Sequence, residues 1–219
     1  MHRPLAVVLG AGPGIGLAVA RRFAQGGFQV AAVSRPGDPL DRFREALAAL
    51  GAPALVLGAD LAREGALAEA CAAIQAWGGL PEVLVYNASA GVQGPAADLD
   101  PAQLREAFRV SVGAPLEAAQ WALPAMRRAG RGTLLFTGGG LALGPKPGLA
   151  AAALGKAALR SLALSLAGEL APEGIHAATV TIRGFVQPGT PLDPDLVAQV
   201  FWEIYLQKKE DWHPERTLP

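Results

Sequence analysis

The residues whose types and spacing bear most directly on chemistry are the glycines of Leu9-Gly10-Ala11-Gly12-Pro13-Gly14-Ile15-Gly16-Leu17. They follow a short apolar run, Leu5 to Leu9, and open a helix-forming stretch, the setting a dinucleotide-binding loop requires. Gly10 and Gly14 let the backbone turn sharply and come close to a pyrophosphate, and Gly16 permits tight packing of helix on sheet. The helix N-terminus offers free N–H groups to the anion, so Gly10, Gly14, Ile15 and Gly16 are candidate cofactor contacts. A phosphate loop of the nucleoside-triphosphatase kind is excluded by spacing. Before Gly155-Lys156 the nearest glycine, Gly148, stands two residues too far back, and Ala157 occupies the position of the magnesium-binding hydroxyl.

A second candidate is Val33-Ser34-Arg35, at the end of the second apolar run. A carboxylate there would accept the adenosine ribose hydroxyls of NAD, whereas Arg35 is suited to grip a 2′-phosphate, which favours NADP(H) over NAD(H). Pro13 adds no second positive charge. The alternative for Arg35 is a solvated loop residue.

These loops need elements to hold them. Apolar runs at Leu5 to Leu9, Val30 to Val33, Ala54 to Leu57, Val83 to Tyr86, Thr133 to Thr137 and Ala177 to Ile182 read as buried strands. Helix-forming composition fills Gly14 to Gln25, Pro39 to Leu50, Arg63 to Trp77, Pro101 to Arg128 and Leu149 to Leu170, with a further helix near Asp193. Asp211 to Pro219 is read as a short edge strand with Trp212 packed inward. Parallel strands joined by right-handed helical crossovers give one α/β domain over residues 1–219. It is a doubly wound Rossmann-type parallel sheet of six or seven strands with helices on both faces. Pro101 to Arg128 and Leu149 to Leu170 are long and apolar around most of their circumference, so they are expected to bury a second face in a homodimer or higher homo-oligomer.

The 219 residues carry 19 Lys+Arg against 19 Asp+Glu, with 51% hydrophobic residues, which excludes disorder and argues against a nucleic-acid partner. Cys71 has no second thiol to pair with and reads as buried and inert in a reducing, cytoplasmic setting. Met1 to Ala20 mimics a secretory signal, but its glycines and Pro13 break such a helix. No other stretch reads as long and apolar enough to span a bilayer, so no membrane partner is expected and the Asn87-Ala88-Ser89 sequon is chance. Three histidines and one cysteine show no metal-ligand spacing.

The Gly10-x-x-x-Gly14-Ile15-Gly16 spacing is joined by Asp60-Leu61 after the third strand, Asn87-Ala88 after the fourth, and Gly155-Lys156-Ala157-Ala158-Leu159 in a long helix. As a set, from about Leu5 to Phe201, these resemble the short-chain dehydrogenase/reductase family. The resemblance implies that Asp60 and Leu61 lie at the adenine ring, that Asn87 and Ala88 run along the cofactor, and that Lys156 holds the nicotinamide ribose. It also implies that Gly184, in the segment replacing the family's Pro-Gly after the sixth strand, contacts the cofactor. Taken singly, Asp60 would be a helix cap, Asn87 a turn residue and Lys156 an exposed lysine.

The family's proton donor, a tyrosine one helical turn before the lysine, is Ala152 here, whose methyl group can neither donate nor accept a proton. Its oxyanion-orienting serine aligns with Gly138 or Gly139, and its helix asparagine with Ser111, which is polar but shorter. Of the catalytic set only Lys156 is retained, with Ser111 a weak second. Gln187 to Leu192 leave little of the family's substrate lid. Two functions compete: an NADP(H)-binding protein with little or no standard hydride transfer, and an NADPH-dependent carbonyl reductase with a relocated donor. For the latter, Tyr86, Ser89, Thr137, Lys146 or a water on Lys156 are the available groups. A hydrolase built on Ser89 lacks the glycine elbow, since Asn87 stands at its first glycine, and has only His2, His176 and His213 as bases.

Overall fold

The computed structural model describes residues 3–219; Met1 and His2, the latter counted above among the bases, lie outside the described residues. The apolar runs become strands β1 (Leu5–Leu9), β2 (Gln29–Ser34), β3 (Ala54–Gly58), β4 (Val83–Tyr86), β5 (Gly132–Gly139) and β6 (Ile175–Ile182), joined by a seventh, β7 (Glu215–Leu218). Every pairing is parallel, in the order β3-β2-β1-β4-β5-β6-β7. All residues of β1, β4 and β6 are buried, as expected where both faces of a parallel sheet are covered.

One face is covered by α1 (Ile15–Gln25), α2 (Leu40–Ala48) and α7 (Pro194–Tyr205), the other by α3 (Ala66–Gly78), α5 (Ala114–Ala129) and α6 (Ala150–Leu170). Val19 and Phe23 of α1 and Phe201 of α7 pack on Val8, Val30 and Val180; Ile74, Met126 and Leu166 pack on Val7, Leu84 and Leu134. Cys71 is buried in the second layer, where burial and the Glu117 charge push its thiol up to about 12.

The stretch Pro101 to Arg128, expected as one helix, is broken. An α-helix α4 (Pro101–Phe108) runs into a π-turn at Arg109–Gly113 before α5 begins. Pro115 has no N–H to return to the Ser111 carbonyl, and Ala114 donates to Arg109, five residues back. The Val110 carbonyl, released from its helical partner, accepts instead from the Tyr86 hydroxyl at 2.5 Å.

The expectation about membrane spans is also corrected. Ala150–Glu173, covering α6, is long and apolar enough by length and composition to cross a membrane. Here Leu159, Ala163, Leu166 and Leu170 of that helix are buried against the sheet.

The C-terminal edge strand forms as expected, although its exposed faces are polar. Arg160 on α6 makes a forked pair with Glu215, which also accepts from the Thr181 hydroxyl at 2.6 Å, so β7 is tied to both α6 and β6. Trp212 stacks on His176, with ring centroids 4.6 Å apart.

Candidate functional site

The strand order reverses between β1 and β4, so the loops leaving their carboxyl ends splay apart and open a crevice, the place where doubly wound sheets bind ligands. The glycine loop leaves β1 there. Gly10 adopts φ +91°, and a Cβ on it would fall on the Ala88 backbone nitrogen. Gly16 is equally confined: its Cβ would fall on the Gly10 carbonyl oxygen. Gly12 and Gly14 meet nothing within 4 Å, so their backbone is bare towards the crevice. Asn87 pins the loop by donating from Nδ2 to the Gly10 carbonyl at 2.7 Å. Its position after β4 is thereby accounted for by loop geometry.

Two contiguous cavities, of about 740 and 840 Å³, share Gly12, Asn87 and Ser89 and form one cleft along the sheet edge. Ser34, Arg35, Asp60, Leu61 and Ala88 line the first with Gly10; Gly14, Ile15, Gly16, Lys156 and Gly184 line the second. All twelve residues expected at a cofactor are therefore on one surface.

In the first cavity the Ser34 hydroxyl donates to the Asp38 carboxylate, which also accepts from the Arg35 backbone N–H at 3.2 Å. Gly37, at φ +97°, turns the chain so that Asp38 faces back into the cleft beside Arg35. Sequence reasoning missed this carboxylate; the Pro36-Gly37-Asp38 turn was the available signal. Asp60 accepts from the Ala62 N–H at 3.0 Å and caps a local turn, while α3 starts beyond it at Ala66.

In the second cavity Lys156 Nζ donates to the Thr137 carbonyl at 2.7 Å. Desolvation pulls this ammonium down to about 8. The folded chain thus releases the proton near pH 8 and the unfolded chain only near the ordinary value of about 10.4, so in that window the unfolded state binds more protons and stability rises with pH. We expect the parent to gain on a Lys156→Met variant by at most about 3 kcal/mol between pH 8 and pH 10.4, measured as unfolding free energies in urea. Parallel profiles would contradict that desolvation.

Ala152 packs on the Gly91 backbone, its Cβ 3.2 Å from where a Gly91 Cβ would stand. The structure also decides between the two glycines aligned with the missing serine. A Cβ on Gly138 would lie 2.7 Å and 2.8 Å from the hydroxyls of Thr179 and Thr181, whereas one on Gly139 would make ordinary 3.5 Å contact with the Lys156 methylenes. Gly139 is the position beside the lysine.

Ser111 does not reach this group. Its Oγ donates to the Ala90 carbonyl at 3.1 Å and accepts from the Ala90 N–H at 3.3 Å, tying the π-turn to the loop after β4. Tyr86 is fully buried with its proton on Val110, and burial raises its pKa beyond the ordinary phenol range, so it is removed as a relocated donor. Tyr205, the other tyrosine, bonds Glu82 on the far side of the sheet edge. Ser89, Thr137, Lys146 and Lys156 do line the cleft. Thr137 is buried, and its hydroxyl has no hydrogen-bond partner among the described residues. Between Val186 and α7, residues 187–193 form tight turns capped by Asp193, leaving Phe185 91% exposed at the cleft mouth.

Comparison with known proteins agrees with this geometry. The family model described as short chain dehydrogenase matches residues 4–197. An oxidoreductase, asL5, of Sarocladium schorii is 33% identical over 171 residues, covering 78% of this chain and 68% of that protein. A cyclic-di-GMP-binding biofilm dispersal mediator protein of Escherichia coli is 32% identical over 189 residues, covering 86% of this chain and 73% of its own. The crystal structure of a metagenomic short-chain oxidoreductase in complex with NADP superposes with a TM-score of 0.89 at 28% identity, covering 98% of this chain and 96% of that one.

Proposed function

The chain belongs to the short-chain dehydrogenase/reductase family, and from that premise we propose that it binds NADP(H) in the cleft and transfers little or no hydride by the family's usual route. The observation that carries this reading is Ala152: one turn before Lys156 there is no phenol, and neither tyrosine lines the cleft. The bare backbone at Gly12 and Gly14 fits a pyrophosphate at the start of α1, and Lys156 fits a ribose hydroxyl pair. When bound, the nicotinamide supplies or accepts a hydride. The chain's own residues orient it, but at Ala152 and Gly139, the positions of the family's proton donor and oxyanion hydroxyl, no side chain carries a proton to donate. A relative named for binding cyclic-di-GMP, and not for a reaction, supports a binding role for this frame.

The preference for NADP(H) rests on Arg35 at the ribose end of the cleft. Asp38 opposes it, since a carboxylate beside Arg35 weakens the field seen by a 2′-phosphate. We expect Arg35→Ala to lower NADPH affinity about tenfold or more while leaving NADH affinity unchanged, and Asp38→Asn to raise NADPH affinity a few-fold, both by calorimetry. Unchanged affinity for both nucleotides on Arg35→Ala would show that Arg35 is only a solvated loop residue, and equal losses that it touches a part common to both and not the 2′-phosphate. Turnover is tested by following NADPH oxidation against aliphatic and aromatic aldehydes and ketones. Rates indistinguishable from buffer are expected.

The second reading, an active reductase with a relocated donor, is favoured by Ser89, Thr137, Lys146 and Lys156 all lining one cavity. It requires turnover that disappears when one of them is replaced. The same proposal includes a homodimer through α5 and α6, where Leu116 and Leu154 are exposed at 38% and 47%. Light scattering at micromolar concentration should give about twice the 22.4 kDa chain mass; a particle of chain mass would refute the dimer.

A further inference from the structure

The two ends of the cleft differ in charge. Its carboxylates, Asp38 and Asp60, both line the cavity beside β2 and β3. The other cavity is lined by Lys146, Lys156 and Arg183 and by no carboxylate among the described residues. Lys156 is engaged by the Thr137 carbonyl, but Lys146 and Arg183 form no ion pair among the described residues. Neither belongs to the glycine loop. That loop leaves β1, whereas Lys146 stands on the β5–α6 connection and Arg183 on the β6–α7 connection, with its side chain running beside Gly140. A concave surface carrying one sign of charge concentrates ligands of the other.

Beside these cations the same cavity exposes Phe185 at 91% and Leu143 at 51%. Large side chains left in water at the rim of a cavity mark a place where an apolar body is received. A third feature is Thr137, a residue of that cavity's wall whose buried hydroxyl has no hydrogen-bond partner among the described residues. The positions of the family's proton donor and oxyanion hydroxyl are meanwhile Ala152 and Gly139. A ligand carbonyl would find no proton there, and a carboxylate needs none.

We infer that this half of the cleft binds a carboxylate on an apolar body, with its charge on Arg183 and Lys146 and its hydrocarbon on Phe185 and Leu143. The ligand is held and not reduced, so the cleft reads out an acid. The inference rests on the NADP(H) reading, in which the nucleotide runs along Gly12 to Gly16 and Lys156 and leaves the Lys146, Arg183, Phe185 and Leu143 side of the same cavity to the acid, and the test separates the two.

Octanoate, the isosteric neutral octanamide and the short butyrate are titrated calorimetrically into the protein, first stripped of nucleotide and then saturated with NADPH. Octanoate is expected to bind about tenfold or more tightly than octanamide, the size of a charge-assisted hydrogen bond, and more tightly than butyrate. Arg183→Gln and Lys146→Gln should each remove most of the advantage over octanamide while leaving octanamide binding unchanged. Equal affinities for octanoate and octanamide, no binding of either, or a preference that survives both substitutions would each overturn the inference. NADPH that displaces octanoate would place the acid in the nucleotide's own site and overturn it too. If NADPH fails to bind and the octanoate preference persists, the cofactor reading falls and this one stands.

Discussion

Ala152→Tyr combined with Gly139→Ser is expected to raise the rate of NADPH-dependent reduction of an activated aromatic aldehyde by about 10²–10⁴-fold over the parent, the range a positioned acid contributes. Residue 152 lies one helical turn before Lys156, so a phenol there shares the ammonium's helix face, and the charge favours the phenolate. Gly91 has no side chain to obstruct the ring where it leaves Ala152. A serine Cβ at 139 makes only 3.5 Å contacts with the lysine methylenes. The matched control is Ala152→Phe with Gly139→Ser, which restores the shape without the proton and should remain at the parent rate. Gly138→Ser should lower the melting temperature, since its Cβ would press 2.7 Å and 2.8 Å from two threonine hydroxyls. A double variant that folds, binds NADPH and is no faster than the parent would show that something other than the missing hydroxyls keeps the site silent.

Gly10→Ala is expected to cost about 3 kcal/mol or more of stability and to abolish NADPH binding. The conformation at φ +91° is unfavourable to any side chain, and the added methyl would fall on the backbone of Ala88. That backbone cannot yield cheaply. The Ala88 and Asn87 N–H groups both donate to the Leu9 carbonyl, at 3.1 Å and 2.8 Å, and Asn87 holds Gly10 by its side chain. Separating the two loops therefore breaks the joint between β1 and β4 at the point where the cleft opens. Urea unfolding and a nucleotide titration check both consequences; unchanged stability would mean that the loop tolerates the displacement.

The sheet was legible because its central strands are buried on both faces, so apolar runs such as Leu5 to Leu9 and Val83 to Tyr86 mark their own ends. β7 is different. Its polar Glu215, Arg216 and Thr217 carry little strand signal, and the Arg160–Glu215–Thr181 network that fixes the strand comes from distant parts of the chain. The break at Arg109–Gly113 was lost for the opposite reason. Composition over Pro101 to Arg128 is mostly helical and Pro115 reads as an ordinary first-turn proline, while the Tyr86 hydroxyl that takes up the freed Val110 carbonyl arrives from β4.

The residues expected at a cofactor were legible as candidates for one surface because most of them follow a strand at the same sheet edge, while Lys156 reaches it from α6. What spacing could not decide was direction. It left Gly138 and Gly139 equivalent until the threonines of β6 closed one of them, and it admitted Tyr86 as a donor although its hydroxyl is spent beneath the sheet edge. Asp38 escaped because a positive-φ glycine folds it back beside Arg35.

The most direct test of the account is calorimetric titration of nucleotide-stripped protein with NADPH and, separately, with NADH. The account predicts saturable one-site NADPH binding, weaker NADH binding, and no oxidation of the bound NADPH when carbonyl compounds are added. Failure of both nucleotides to bind would contradict it at its base, leaving the glycine loop as a turn that only joins a strand to a helix.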